Sequence, residues 1–157
     1  MNSTHILTVL VDNNAGVLFR VSGLFSRRGY NISSISSAET NNPQLSQLTI
    51  VANGDDNTIE QIYKQLSKLI DVKEINIVTP TSAICREHII IKLKSDNKSE
   101  IEKISSKYGS KIVDNSNNTI ILELTGDREQ ISSFLNEISK FEIIKLIRTG
   151  ITALERG

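Results

Sequence analysis

A chain of 157 residues in which 18 lysines and arginines balance 18 aspartates and glutamates has no net charge, which excludes the electrostatic footprint of a nucleic-acid or anionic-membrane binder. The single cysteine, Cys85, excludes an internal disulfide and suits a reducing compartment. No run approaches the roughly 18 consecutive apolar residues of a membrane span, and the polar start Met1-Asn2-Ser3-Thr4-His5 is neither a signal peptide nor an Arg-rich transit peptide, so the chain is expected to be soluble and to work where it is made. Its wealth of Ile, Asn and Lys has the look of an AT-biased genome, which points to a bacterial cytoplasm, or to a plastid stroma if the chain is organelle-encoded.

The extended apolar stretch Ile6 to Val11 breaks at Asp12-Asn13-Asn14-Ala15-Gly16, and Val17, Leu18, Val21, Leu24 and Phe25 then follow at helical spacing. This predicts a strand over residues 5–11, a tight turn, and a helix over 16–28 that Gly29 ends as a left-handed terminator. Gly16 falls where the first free amides of the helix point outward, and such amides, backed by the positive end of the helix dipole, favour a small anion such as a carboxylate. The turn is a candidate ligand site; on composition alone, Asn13 and Asn14 are equally turn formers and Asn31 a strand-start residue. Arg20, Arg27 and Arg28 point away from the apolar face of the helix and are expected to be solvated.

Strands over 31–40 and 44–53 flank Asn41-Asn42-Pro43, and Gly54-Asp55-Asp56 leads into a helix over 57–70. Ile59, Ile62, Leu66 and Leu69 give that helix one apolar face, and Asn57 with Glu60 has the spacing of a capping box. A strand over 72–79 completes a βαββαβ order, the ferredoxin-like plan. After the polar joint Thr79-Pro80-Thr81-Ser82 the order recurs: a strand over 87–94, a helix over 99–108 ended by Gly109, strands over 111–114 and 119–125, a helix capped by Asp127 and carrying Ile131, Phe134, Leu135 and Ile138, and a last strand over 141–148. The continuous apolar run His88-Ile89-Ile90-Ile91 predicts a central strand buried on both faces. The expected architecture is therefore α+β, two ferredoxin-like βαββαβ domains over residues 1–79 and 80–157.

Catalytic machinery is not legible in either half. There are two histidines and one cysteine, with no H-E-x-x-H, G-x-S-x-G or phosphate-loop lysine signature, and no metal-ligand cluster is expected. His5 and His88 are expected to be structural or surface residues, and Cys85, beside Arg86, an inert half-buried thiol. An acylphosphatase of this strand order needs an arginine in its first loop to neutralise a phosphoryl group, and the nearest here is Arg20, a turn into the helix. An RNA-binding sheet needs aromatic residues on its central strands, and Ile6 to Val11 and Leu45 to Ala52 have none.

The string Asn13-x-x-Gly16-Val17-Leu18-x-Arg20-Val21-x-Gly23-Leu24-Phe25-Ser26-Arg27-Arg28-Gly29-Tyr30-Asn31-Ile32 resembles the amino-acid-binding ACT domain that begins the regulatory subunits of acetolactate synthase, also called acetohydroxyacid synthase. The resemblance continues through Pro43-x-x-Ser46-x-x-Thr49-Ile50, Gln65-Leu66-x-Lys68-Leu69-x-Asp71-Val72, Arg86-Glu87 with Lys92, Arg148-Thr149-Gly150 and Glu155-Arg156-Gly157, and so spans essentially the whole chain. It implies that the first domain is an ACT domain that dimerises with a second copy, and that the chain is a non-catalytic subunit that activates a catalytic large subunit. It also implies feedback inhibition by a branched-chain amino acid, valine, in branched-chain amino acid biosynthesis. Thiamine diphosphate, magnesium and FAD are expected on the catalytic partner, with no cofactor in this chain.

By the same resemblance Asn13 holds the polar end of the effector, the amides at and after Gly16 take its carboxylate, and Asn31 reaches in from the partner chain. Val17, Leu18 and Ile32 would bound a branched apolar side chain. One methylene in an apolar pocket is worth only about 1–3 kcal/mol, so valine, leucine and isoleucine are not told apart by sequence. A free-standing ACT-type sensor controlling another enzyme or a transcription factor is the alternative, and the C-terminal domain is what such a sensor does not need.

Overall fold

Side-chain alternation along the first strand decides which face of the first sheet becomes interior. In the computed structural model, which describes residues 3–116 and 118–157, β1 (Ser3–Asp12) turns Leu7, Val9 and Val11 to one side. The helix α1 (Val17–Arg27) packs Val17, Val21, Leu24 and Phe25 on that side, and α2 (Asp56–Leu66) adds Ile59, Ile62 and Leu66. Leu48, Ile50 and Ala52 of β3 (Leu45–Gly54) complete the cluster, which is closed to water throughout. With β2 (Asn31–Glu39) and β4 (Val72–Val78) the sheet has the order β2-β3-β1-β4, and the pairings β1–β3, β1–β4 and β2–β3 are antiparallel.

The second half repeats the plan with its own residues. β5 (Ala83–Lys94), α3 (Lys98–Tyr108), β6 (Lys111–Ser116), β7 (Thr119–Gly126), α4 (Arg128–Ile138) and β8 (Ile143–Glu155) build a sheet of order β6-β7-β5-β8. Its core joins Ile89, Ile91 and Leu93 to Ile101, Ile104, Ile131, Phe134 and Ile138. The duplication reaches into small irregularities. The second strand of each half bulges at its third residue, between Ile32 and Ser34 and between Ile112 and Asp114. The third strand of each ends in glycine followed by an aspartate cap, Asp55 accepting from the Thr58 amide and Asp127 from the Gln130 amide.

The βαββαβ order, the helix stop at Gly29 and the Asp127 cap agree with expectation, and three details differ. The cap of α2 is Asp55 and not Asn57, because the helix begins at Asp56. β5 starts at Ala83 and β8 continues to Glu155, each longer than its apolar run. The strand holding His88 to Ile91 is central, yet only alternate residues are interior: Ile89 and Ile91 are buried while Ile90 is 37% exposed, since helices cover one face of this sheet. By contacts the chain divides into residues up to Ile84 with Ile151–Gly157, and Cys85–Gly150.

The C-terminal segment accounts for that division. Within the first unit the Ala153 amide donates to Thr49 Oγ1 at 3.2 Å, the Thr8 hydroxyl donates to the Glu155 carboxylate, and the Arg156 amide donates to the Ser82 carbonyl at 2.9 Å. Thr8 and Thr49 are register partners whose side chains lie on the opposite face of the sheet from Leu7 and Ile50, and both are buried. Buried hydroxyls need partners, and residues 153–155 supply them.

Candidate functional site

The turn between β1 and α1 is built by backbone hydrogen bonds at its start and by glycine at its end. The Asp12 amide donates to the Asp71 carbonyl at 2.8 Å, and the Asn13 amide to the Gln44 carbonyl at 2.7 Å. The Asn13 side-chain amide donates to the Pro43 carbonyl at 2.9 Å, which orients the side chain and leaves its oxygen free to accept. Gly16 caps α1 at φ +84, in the left-handed region that a residue with a Cβ adopts at a cost of about 1–2 kcal/mol. The Val17 amide is taken by the Asn14 carbonyl at 3.2 Å, and no side chain caps the helix. The amides of Leu18 and Phe19, which precede the first intrahelical donor, stay available to a ligand.

Within one chain the structure gathers Asn13, Gly16, Val17 and Leu18, and it separates Asn31 and Ile32 from them. Asn13, Gly16 and Leu18 are exposed, but the Val17 side chain belongs to the core, so at this turn Val17 presents backbone alone. Asn31 pairs with Asn53, which pairs with Thr4, whereas the turn follows Asp12. Eight residue steps of extended chain, roughly 26 Å, separate Thr4 from Asp12. Ile32 sits at the same far end, half-buried against the first core.

Arg20 differs from expectation. Its Nε and Nη2 donate to the two carboxylate oxygens of Asp71 at 2.7 and 2.9 Å, so it is paired and not merely solvated. The guanidinium holds the Asp71 carboxyl below the ordinary carboxylate range, burial acting the other way. Next to it Lys73 pairs with Asp12 at 2.7 Å.

Two family models divide the chain between them: an AHAS small subunit-like ACT domain over residues 7–74 and the small subunit of acetolactate synthase over residues 86–157. A probable acetolactate synthase small subunit of Methanothermobacter thermautotrophicus is 43% identical over 157 residues, covering 98% of this chain and 94% of that protein. The chain belongs to the acetolactate synthase small-subunit family. The acetolactate synthase small subunit of Buchnera aphidicola is likewise 43% identical, over 97% of this chain and 98% of its own length. The crystal structure of the acetolactate synthase small subunit of Thermotoga maritima superposes with a TM-score of 0.92 at 39% identity, covering 99% of this chain and 98% of that one. The first half is thus an ACT domain, and the chain is a regulatory, non-catalytic member of its family.

In this small-subunit chain the motif residues at the two ends of the second unit meet. Arg148 donates from Nε and Nη2 to Glu87 at 2.7 and 2.8 Å, Glu87 being only 5% exposed. Thr149 Oγ1 accepts from the His88 amide at 3.1 Å and donates to the His88 carbonyl at 3.3 Å. His88 Nδ1 lies 2.9 Å from the Thr125 hydroxyl, and burial pushes the Cys85 thiol up while the neighbouring charge of Arg86 acts the other way. Among the described residues no cluster of three His, Cys, Asp or Glu can hold a metal ion, and no helix is long and apolar enough to cross a membrane.

Sequence reasoning missed the roles of Arg20 and Asp71. Both stand in the family string, but their pairing joins elements 51 residues apart, which no local period reports.

The depressed carboxylates carry a pH signature. Asp71, Asp55, Glu137 and Glu155 titrate below their ordinary values, chiefly through Arg20, Thr58, Lys107 and Thr8 respectively. A carboxyl depressed in the folded chain contributes stability that is complete above its unfolded pKa of about 4 and is lost as the pH falls through the lower folded value. The thermal midpoint is accordingly expected to be nearly flat from about pH 7 to 5 and to drop below about pH 4, as melts followed by circular dichroism across that range will show.

Proposed function

We propose that this chain activates the thiamine-diphosphate-dependent large subunit of acetolactate synthase and makes it sensitive to feedback inhibition by a branched-chain amino acid, valine. The observation that carries the reading is the exposed left-handed Gly16 opening α1 beside Asn13, inside an ACT domain of the small-subunit family. Backbone amides without side-chain competition suit the effector carboxylate, and the free oxygen of Asn13 suits its ammonium group. Leu18, exposed at the turn, offers apolar surface to the branched side chain.

A site that uses both Asn13 and Asn31 needs two copies, since one chain holds them at opposite ends of its sheet. The proposed effector site therefore lies across an ACT homodimer, with Asn31 and Ile32 supplied by the second copy. Thiamine diphosphate, magnesium and FAD belong to the catalytic partner in this reading. Effector and catalytic partner bind different surfaces, so inhibition arises from unequal effector affinity for two arrangements of the complex, and the coupling is reciprocal.

Calorimetric titration of valine into the full chain tests the site. Saturable binding is expected, weakened about ten- to hundred-fold in Asn13→Ala, the loss of one hydrogen bond to a charged group. Equal affinity in the two proteins would exclude Asn13 from the site.

A further inference from the structure

Asp71 grips the chain on both sides of the effector turn. Its carbonyl takes the Asp12 amide at 2.8 Å just before the turn, and its carboxylate takes Nε and Nη2 of Arg20 just after it. Lys73, two residues on, holds the Asp12 carboxylate at 2.7 Å. The aspartate side chain is 11% exposed, whereas the arginine side chain keeps 45% of its surface, so Asp71 is the anchor and Arg20 the arm. Two parallel hydrogen bonds fix the plane of a guanidinium in a way that a single ammonium contact does not. The remaining nitrogen, Nη1, lies 3.2 Å from the point that a Cβ on Gly16 would occupy. The guanidinium is therefore packed behind the glycine whose left-handed backbone opens the helix.

We infer that Arg20, held by Asp71, is a positioning residue for the effector turn: it keeps the Gly16 backbone and the amides that follow in the binding geometry before the effector arrives. The inference rests on the effector reading of this turn. A glycine-containing turn is conformationally loose, and between Asn13 and Arg20 few backbone bonds restrain it: Asn13 to Gln44, Val17 to Asn14 and Arg20 to Gly16. Without the guanidinium the ordering cost falls on ligand binding, which lowers affinity even though no contact with the ligand is lost. The same geometry separates positioning from charge. Lysine keeps the positive charge beside the turn but cannot make the planar two-point contact with Asp71.

The test is a double-mutant cycle read in valine affinity, by calorimetry on the full chain, with Arg20→Lys, Arg20→Gln, Asp71→Asn and the Arg20→Gln/Asp71→Asn double variant. Each single variant is expected to weaken valine binding about tenfold, Arg20→Lys as much as Arg20→Gln, and the double variant no more than either single one. Thermal melts run alongside identify any variant that fails to fold; the two Arg20 variants, on a half-exposed side chain, suffice if Asp71→Asn does. Arg20→Gln binding valine within about twofold of the parent while Asn13→Ala is weakened would overturn the positioning role and leave the effector reading intact. Full affinity in Arg20→Lys with loss in Arg20→Gln would also overturn it, by making charge alone sufficient. A parent chain that binds no valine, or an Asn13→Ala variant with unchanged affinity, would overturn the effector reading of the turn and this inference with it.

Discussion

Gly16→Asp is expected to abolish valine inhibition of the reconstituted complex while acetolactate formation in the absence of valine persists. Three effects converge at this position. The backbone sits at φ +84, so any side chain there is strained by about 1–2 kcal/mol. A Cβ would stand 3.2 Å from Arg20 Nη1, close enough that the guanidinium must give way, and the new carboxylate would compete with Asp71 for it. Most important, the carboxylate would lie beside the amides proposed to hold the effector carboxylate. Two like charges about 5 Å apart at an effective dielectric constant of about 20 repel by about 3 kcal/mol, more than a hundredfold in affinity. Inhibition curves measured with valine raised at least a hundredfold above the parent's midpoint check this; a curve unmoved by the substitution would remove the turn from the effector site. Loss of stimulation itself would show instead that the turn contacts the catalytic subunit.

Arg148→Met is expected to lower the stability of the second unit by about 2–4 kcal/mol, somewhat under the usual range for breaking a buried pair because Arg148 is half-exposed. Glu87 keeps only 5% of its surface and receives both of its ion-pair hydrogen bonds from this one residue, so truncation leaves a buried carboxylate without a cation. For a unit of this size the shift corresponds to about 10–20 °C in the thermal midpoint. The double variant Glu87→Gln/Arg148→Met should recover much of it, since a neutral amide at position 87 carries no uncompensated charge. A single-variant drop of less than about 3 °C would mean that Glu87 finds water or another donor there.

The parts of the fold that could be read from sequence are those where neighbouring residues decide the outcome. The change of apolar period between Val11 and Val17 announced β1, the turn and α1, and the Gly29 stop and Asp127 cap rest on contacts within one turn of helix. Asn57 with Glu60 has the spacing of a capping box, but the backbone path starts the helix at Asp56 and so makes Asp55 the cap. The last strand reads from sequence as ending with its apolar run at Arg148, but β8 runs on through Gly150, at φ +79, to Glu155. The pairs Arg20–Asp71 and Glu87–Arg148 join residues 51 and 61 apart, and tertiary pairing of that kind leaves no periodic trace.

The candidate site divides the same way. Asn13 to Leu18 is contiguous, so the turn stood out as a unit, although Val17, apolar on the first face of the helix, went to the core. Asn31 entered only through the family resemblance, because nothing local marks a strand-start asparagine as a ligand group. Its place at the far end of the sheet from Asn13 is what ties the proposed site to a second copy.

The most direct measurement is acetolactate formation by a matching catalytic subunit, with and without this chain, as valine is titrated in. The proposed function predicts stimulation by the chain and its reversal by valine. No stimulation, with valine still bound by the chain alone, would contradict it and point to a sensor that serves another client.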